Sequence, residues 1–274
     1  MNVRCLAIEL GNTRGKAALF GDPSEALPNQ PPEPIGDTVV WRATDAPPWD
    51  RLAAISPGER GLVALGGSRP ADVARLVATW RDVAPVSLRD ATVRPLRSHL
   101  DIGVPLAVDV PERVGWDRLL AARAALAARS SSPHLVVVSV GTATTVDLVS
   151  RGVFQGGAIL PGIDLGGRAL RDHTQALPLV QPGREALSGS PIPATGRNTE
   201  AAITSGLVWG QLGAISELVR RQTALLDEEF DLWLTGGAAA LLVEHLQMIR
   251  QPIRCVPHLA LSGLALTAWA GKSQ

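Results

Sequence analysis

At 274 residues the chain is long enough for one large domain or two modest ones with complete cores. Hydrophobic residues at 46% against 19% charged exclude a disordered chain, and a formal net charge of zero removes the electrostatic basis for binding a polyanion, so no nucleic-acid partner is expected. No run approaches the ~18 apolar residues that span a bilayer, and residues 1–10 are too short and interrupted for a signal peptide, so the chain reads as cytoplasmic with no membrane partner.

Val3 to Leu10 is a largely apolar run that meets Gly11-Asn12, and Lys16 to Phe20 follows, which predicts strand, tight turn, strand. Residues 21–37, with five prolines and two glycines, read as a surface loop. Gly61 to Leu65 reads as a strand and Pro70 to Trp80 as an amphipathic helix with proline in its first turn. Leu106 to Val110 is a short β-prone run ending at Pro111, and Arg113 to Arg129, rich in Ala, Leu and Arg, is helical. Ser130 to Pro133 forms a linker. His134 to Val140 is a β-branched run suited to a strand buried on both faces, broken at Gly141 and resumed as Thr144 to Val149. Helices are expected from about Asp164 to Ala176, from about Thr199 to Leu225 and from near Leu259, with a Pro/Gly-rich loop over 178–198. Asp231 to Leu234 reads as a strand that meets Thr235-Gly236-Gly237 before a helix of small and apolar residues. The two cysteines, Cys5 and Cys255, lie far apart in strand-like stretches and read as buried thiols, and no Cys/His spacing suits zinc.

The two halves echo each other. LAIELGNT and VVVSVGTATT each place a buried strand before a Gly/Thr turn, which points to duplication of one α/β unit and to two phosphate-binding turns. In the first, Gly11 lets backbone approach a phosphate, Asn12 and Thr13 offer donors, and Glu9 is placed to hold Mg²⁺ through water. A plain hairpin turn accounts for the same residues. In the second, Gly141 and Thr142, with Thr144 and Thr145, offer hydroxyls and amides to phosphate, while a β-turn before a threonine-rich strand reads equally from them. Gly115-Trp116-Asp117-Arg118 sets a carboxylate beside a guanidinium at a helix start. That pair suits a general base with an anion clamp, or else a solvated ion pair at a helix end. Gly236 and Gly237 leave room for a nucleotide at a strand-to-helix junction, where a tight turn is the other reading.

In this order the segments ELGNTRGK (9–16), GWDR (115–118), SVGTATTVD (139–147), GGAILPGI (156–163), LP (177–178), GRNTEAAITSG (196–206), LTGGAA (234–239) and HLALSGL (258–264) resemble the type III pantothenate kinases of the actin/hexokinase/Hsp70-like ATPase superfamily. The resemblance implies an α/β fold of two duplicated ribonuclease H-like lobes, mixed sheets flanked by helices with a nucleotide cleft between them. Residues 1–130 would carry the first phosphate motif and the catalytic aspartate, and residues 131–274 the second phosphate motif and the adenosine side. It implies transfer of the ATP γ-phosphoryl group to the primary hydroxyl of pantothenate, the first step of coenzyme A biosynthesis, by a homodimer. In that scheme Asp117 is the base, and Gly115, Trp116, Arg118 and Thr199 hold the acceptor. Glu9, Gly11, Asn12, Thr13, Lys16, Gly141, Thr142, Gly236 and Gly237 serve ATP and its Mg²⁺. Three positions depart from the family: Glu9 stands for an aspartate, Ser139 for the aspartate that binds K⁺ or NH₄⁺, and Val108 for a tyrosine, with Asp109 the nearby polar group. Those departures keep two other expectations open, a weak or inactive homologue with a binding or regulatory role, and a kinase for another small hydroxylated acid.

Overall fold

The computed structural model describes residues 3–58, 61–182, 192–246 and 251–271. The chain divides into two compact units, one of Met1–Ser131 with Ser150–Gln155 and His258–Gln274, the other of Ser132–Val149 with Gly156–Pro257. Each carries a five-stranded mixed sheet flanked by helices.

The first sheet holds β1 (Cys5–Leu10), β2 (Arg14–Phe20), β3 (Val39–Arg42), β4 (Leu62–Gly66) and β5 (Thr92–Pro95), in the order β3-β2-β1-β4-β5. β1 pairs antiparallel with β2 and parallel with β4. Leu6 and Ile8 of β1 point to one face, where they meet Leu52 of α1 (Trp49–Ala54), Val73, Leu76 and Trp80 of α2 (Pro70–Val83) and Leu88 of α3 (Val86–Arg89). By strand alternation Cys5, Ala7 and Glu9 take the other face. Helix α4 (Trp116–Ala127) belongs to this unit as well.

The second sheet holds β6 (His134–Val140), β7 (Ala143–Ser150), β8 (Val153–Pro161), β9 (Phe230–Thr235) and β10 (Ile253–Cys255), in the order β10-β9-β6-β7-β8. Its helices are α5 (Ile163–Asp172), α6 (Thr199–Thr223) and α7 (Ala239–Leu242). One face of β6, with Val136, Val138 and Val140, is covered by Val208, Leu212, Ile215 and Val219 of α6. Residues 183–191 of the loop expected over 178–198 lie outside the described residues.

The duplication is visible in the order of the strands. In each sheet the first strand is central, its next two neighbours in sequence lie to one side, and two later parallel strands lie to the other. The correspondence reaches individual glycines. Leu10 and Val140 end the central strands; Gly67 (φ +133°) and Gly236 (φ +102°) pack against them. A Cβ at Gly67 would stand 2.5 Å from the Leu10 carbonyl oxygen, and one at Gly236 would collide with that of Val140. Only glycine permits both the backbone angle and the approach.

Three expectations need correction. Leu106–Val110 is not a strand: Gly103 in the left-handed region and Pro111 bound a short segment that makes a single bridge, from Leu106 to Phe154. The helix expected after Gly237 is one turn, Ala239–Leu242, followed by a 3₁₀ turn. The last helix, α8 (Leu259–Ala270), belongs to the first unit and not to a C-terminal lobe over 131–274. Its apolar sequence packs on α4 and β1, with Gly263 set directly against the Leu120 carbonyl.

Gly236→Ala is expected to lower stability by about 2 kcal/mol or more, from left-handed strain together with the Val140 clash. Urea denaturation should show a lower midpoint at unchanged slope. A midpoint equal to that of the parent protein would contradict the close strand-end contact.

Candidate active site

In the first unit the site is built at the C-terminal end of β1. Glu9 sits opposite Lys16 in the β1–β2 register, and the turn between the strands is closed by a hydrogen bond from the Gly11 amide to the Arg14 carbonyl at 3.0 Å. Glu9 is only 5% exposed, and its Oε2 accepts no hydrogen bond. Lys16 Nζ stands 3.9 Å from that oxygen. Burial pushes the Glu9 carboxyl above its usual range, the Lys16 charge opposes the rise, and the Asp117 charge adds to it. The buried Glu9 carboxylate thus faces one ammonium and feels the charge of a second carboxylate. An orphaned, buried anionic oxygen in such a place fits a divalent cation that keeps most of its water ligands.

Asp117 lies in the first turn of α4. Gly115 is the N-cap, and a Cβ there would lie 2.6 Å from Asp117 Oδ1, so the carboxylate folds back over the helix start, where the helix dipole favours negative charge. Arg118, one residue on, lies with its guanidinium carbon 5.4 Å from the centroid of the Phe154 ring. His258, N-cap of α8, has Nε2 3.2 Å from Thr38 Oγ1, and burial together with the Lys16 charge lowers its pKa, so its ring is neutral at pH 7. Composition and spacing gave no sign of Phe154 or of the Thr38–His258 pair, because both arise from contacts distant in sequence.

The remaining candidates lie in the second unit. Gly141 and Thr142 form the turn between β6 and β7, with the Gly141 amide donating to the Ala143 carbonyl at 3.0 Å. Thr144 and Thr145 do not line that turn as expected. They are buried in β7, covered on both faces, and the Thr145 hydroxyl donates to Asp147 at 2.9 Å. Ser139 is half-buried at the end of β6 opposite Thr235. Gly236 and Gly237 follow β9, and the single turn of α7 beyond them is too short to act as a helix dipole. Thr199 is exposed at the first position of α6, after Asn198, whose side chain accepts from the Ala201 amide at 2.8 Å.

A pocket of about 310 Å³ borders the opposite face of the first sheet, lined in part by Gly11, Gly15, Trp41, Trp49, Arg69 and Asp72. Neither Glu9 nor Asp117 lines it.

The class of molecule is thus an α/β protein made of a duplicated five-stranded unit. A solved structure from Campylobacter jejuni, described as a Baf family transcriptional activator, shares this fold with a TM-score of 0.58 at 14% identity, covering 98% of this chain and 100% of that one. The profile of the type III pantothenate kinase family matches residues 69–221. A type III pantothenate kinase of Dehalococcoides mccartyi (strain ATCC BAA-2266 / KCTC 15142 / 195) is 36% identical over 276 aligned positions, 97% of each chain. One from Gluconobacter oxydans is 37% identical, covering 72% of this chain and 66% of its own, and one from Rhodopirellula baltica is 40% identical, covering 61% and 59%. The chain belongs to the type III pantothenate kinase family.

Glu9→Gln keeps the shape of the side chain and removes its charge. Because burial holds the folded pKa above 4.5, the folded protein binds this proton more tightly than the unfolded chain does. Stability is therefore lost as pH rises from the unfolded value through the raised one. Glu9→Gln is expected to melt higher than the parent protein at about pH 8, with the advantage shrinking toward about pH 4. Equal melting at both pH values would mean that Lys16 fully compensates the buried charge.

Proposed function

We propose that the protein transfers the γ-phosphoryl group of ATP to the primary hydroxyl of pantothenate, the first step of coenzyme A biosynthesis. The observation that carries this reading is the first phosphate hairpin, where buried Glu9 faces Lys16 at 3.9 Å and feels the Asp117 charge from the start of α4. A candidate acceptor base thus acts electrostatically on a buried pair of charges, in a chain whose family acts on this acceptor by name.

The acceptor hydroxyl oxygen attacks the γ-phosphorus, the bond to the ADP oxygen breaks, and Asp117 takes the hydroxyl proton. Arg118 binds the acceptor carboxylate, for which a planar guanidinium is suited, with Gly115, Trp116 and Thr199 as further contacts. Gly11, Asn12, Thr13 and Lys16 take nucleotide phosphate in the first unit. Gly141 and Thr142 do so in the second, with Gly236 and Gly237 serving the adenosine side. Mg²⁺ bound with ATP supplies charge neutralisation, and Glu9 would hold it through water. Ser139 offers a neutral oxygen where the family binds a monovalent cation. Along α6, Ala202, Gly206, Trp209, Gly210 and Gly213 are not buried, and a Cβ on any of these glycines would meet nothing within 4 Å. This smooth face supports assembly as a homodimer. Among the described residues no helix is long and apolar enough to cross a membrane, and the free cysteines support the cytoplasm as its place of action.

The test is ADP release by purified protein with pantothenate and ATP. Asp117→Asn is expected to lose turnover by about 10²-fold or more while ATP binding stays near the parent value. Undiminished turnover would reduce Asp117 to a helix-end charge.

The same assay with added K⁺ or NH₄⁺ addresses Ser139. The parent enzyme is expected to respond weakly and Ser139→Asp to respond more. Strong stimulation of the parent enzyme by K⁺ would overturn this account of Ser139.

A further inference from the structure

Phe154 stands two residues past the β7–β8 turn, where Arg151 (φ +51°) and Gly152 (φ +82°) reverse the chain. β8 is a strand of the second sheet, yet Ser150–Gln155 belongs to the first unit. Within that unit Phe154 is fully buried, at 0% exposure. Its backbone is held at both ends of the residue: the Phe154 amide donates to the Pro105 carbonyl at 2.8 Å, and its carbonyl accepts from the Ala107 amide at 2.9 Å. Its ring underlies the Arg118 guanidinium, with 5.4 Å from the guanidinium carbon to the ring centroid.

One residue thus touches the acceptor motif itself, at Arg118, and the segment upstream of it. The segment 105–107 leads toward Gly115–Arg118, and Arg118 is the group assigned to the acceptor carboxylate. A buried ring with both main-chain groups bonded is a rigid platform, and a guanidinium held over such a ring loses torsional freedom. We infer that Phe154 is a positioning residue for the acceptor: it fixes the reach of the Arg118 guanidinium and, through its backbone, the approach segment 105–107. This rests on the assignment of Arg118 to the acceptor in the proposed reaction. It also supplies an aromatic ring beside this segment in a chain that contains no tyrosine.

The experiment is steady-state kinetics of Phe154→Leu and Phe154→Met, two apolar replacements without a ring, beside the ring-retaining Phe154→Tyr and the pair partner Arg118→Lys. Both ring-free variants are expected to raise KM for pantothenate by about 10-fold, with kcat within about 3-fold and KM for ATP unchanged. Phe154→Tyr should stay near the parent value for pantothenate. In an Arg118→Lys background the loss of the ring should cost little more, because the two side chains act as one unit. Unchanged KM for pantothenate in the ring-free variant that folds, an equal rise in KM for ATP, or a full additional loss on top of Arg118→Lys would each overturn the inference. A parent protein that phosphorylates no pantothenate would instead refute the proposed reaction, which is a separate result from an active enzyme indifferent to Phe154.

Discussion

Helix α8 crosses α4 so closely that Gly263 faces the Leu120 carbonyl with no space for a side chain. This crossing binds the last helix of the chain to the first unit and backs the face of β1 that carries Glu9. It also sets the line of α4, whose first turn presents Asp117 and Arg118. A larger residue at 263 would have to separate two helix backbones. The cost would appear one turn away, at the start of α4, where Asp117 and Arg118 stand.

The Glu9 carboxylate is a second constraint, of a different kind. A buried carboxylate with one oxygen lacking a hydrogen bond is unfavourable, and Lys16 at 3.9 Å offsets it only in part. A structure optimised for stability alone would place a neutral group there. Its presence at the end of β1 gives up local stability.

Much of the fold was legible in the sequence because its signals are local. The apolar runs at Leu6–Ile8 and Leu135–Val138 with their glycine turns announced the central strands and the duplication. Asp117 announced itself by its neighbours Gly115 and Arg118. What was not legible depends on distant contacts. Thr144 and Thr145 looked like phosphate donors beside Gly141, but the sheet is covered on both faces and takes them into its interior. Nothing in LALSGLALTAWA tells which unit an apolar helix will join; that is decided by Leu120, far upstream. Phe154 sits in a strand whose alternating exposure marks an edge, and its partners Pro105, Ala107 and Arg118 lie more than thirty residues away.

The division of the chain into two units has a consequence for synthesis. The chain leaves the first unit after Ser131, returns to it for Ser150–Gln155, and returns finally at His258. During translation the N-terminal sheet can form early, but the wall that α8 gives it is among the last segments to emerge. Until then Cys5, Ala7 and the stem of Glu9 remain on an uncovered apolar face. The second unit, by contrast, is contained between Ser132 and Pro257, ahead of the last segment of the first. In chain order, therefore, the first unit is begun before the second and completed after it.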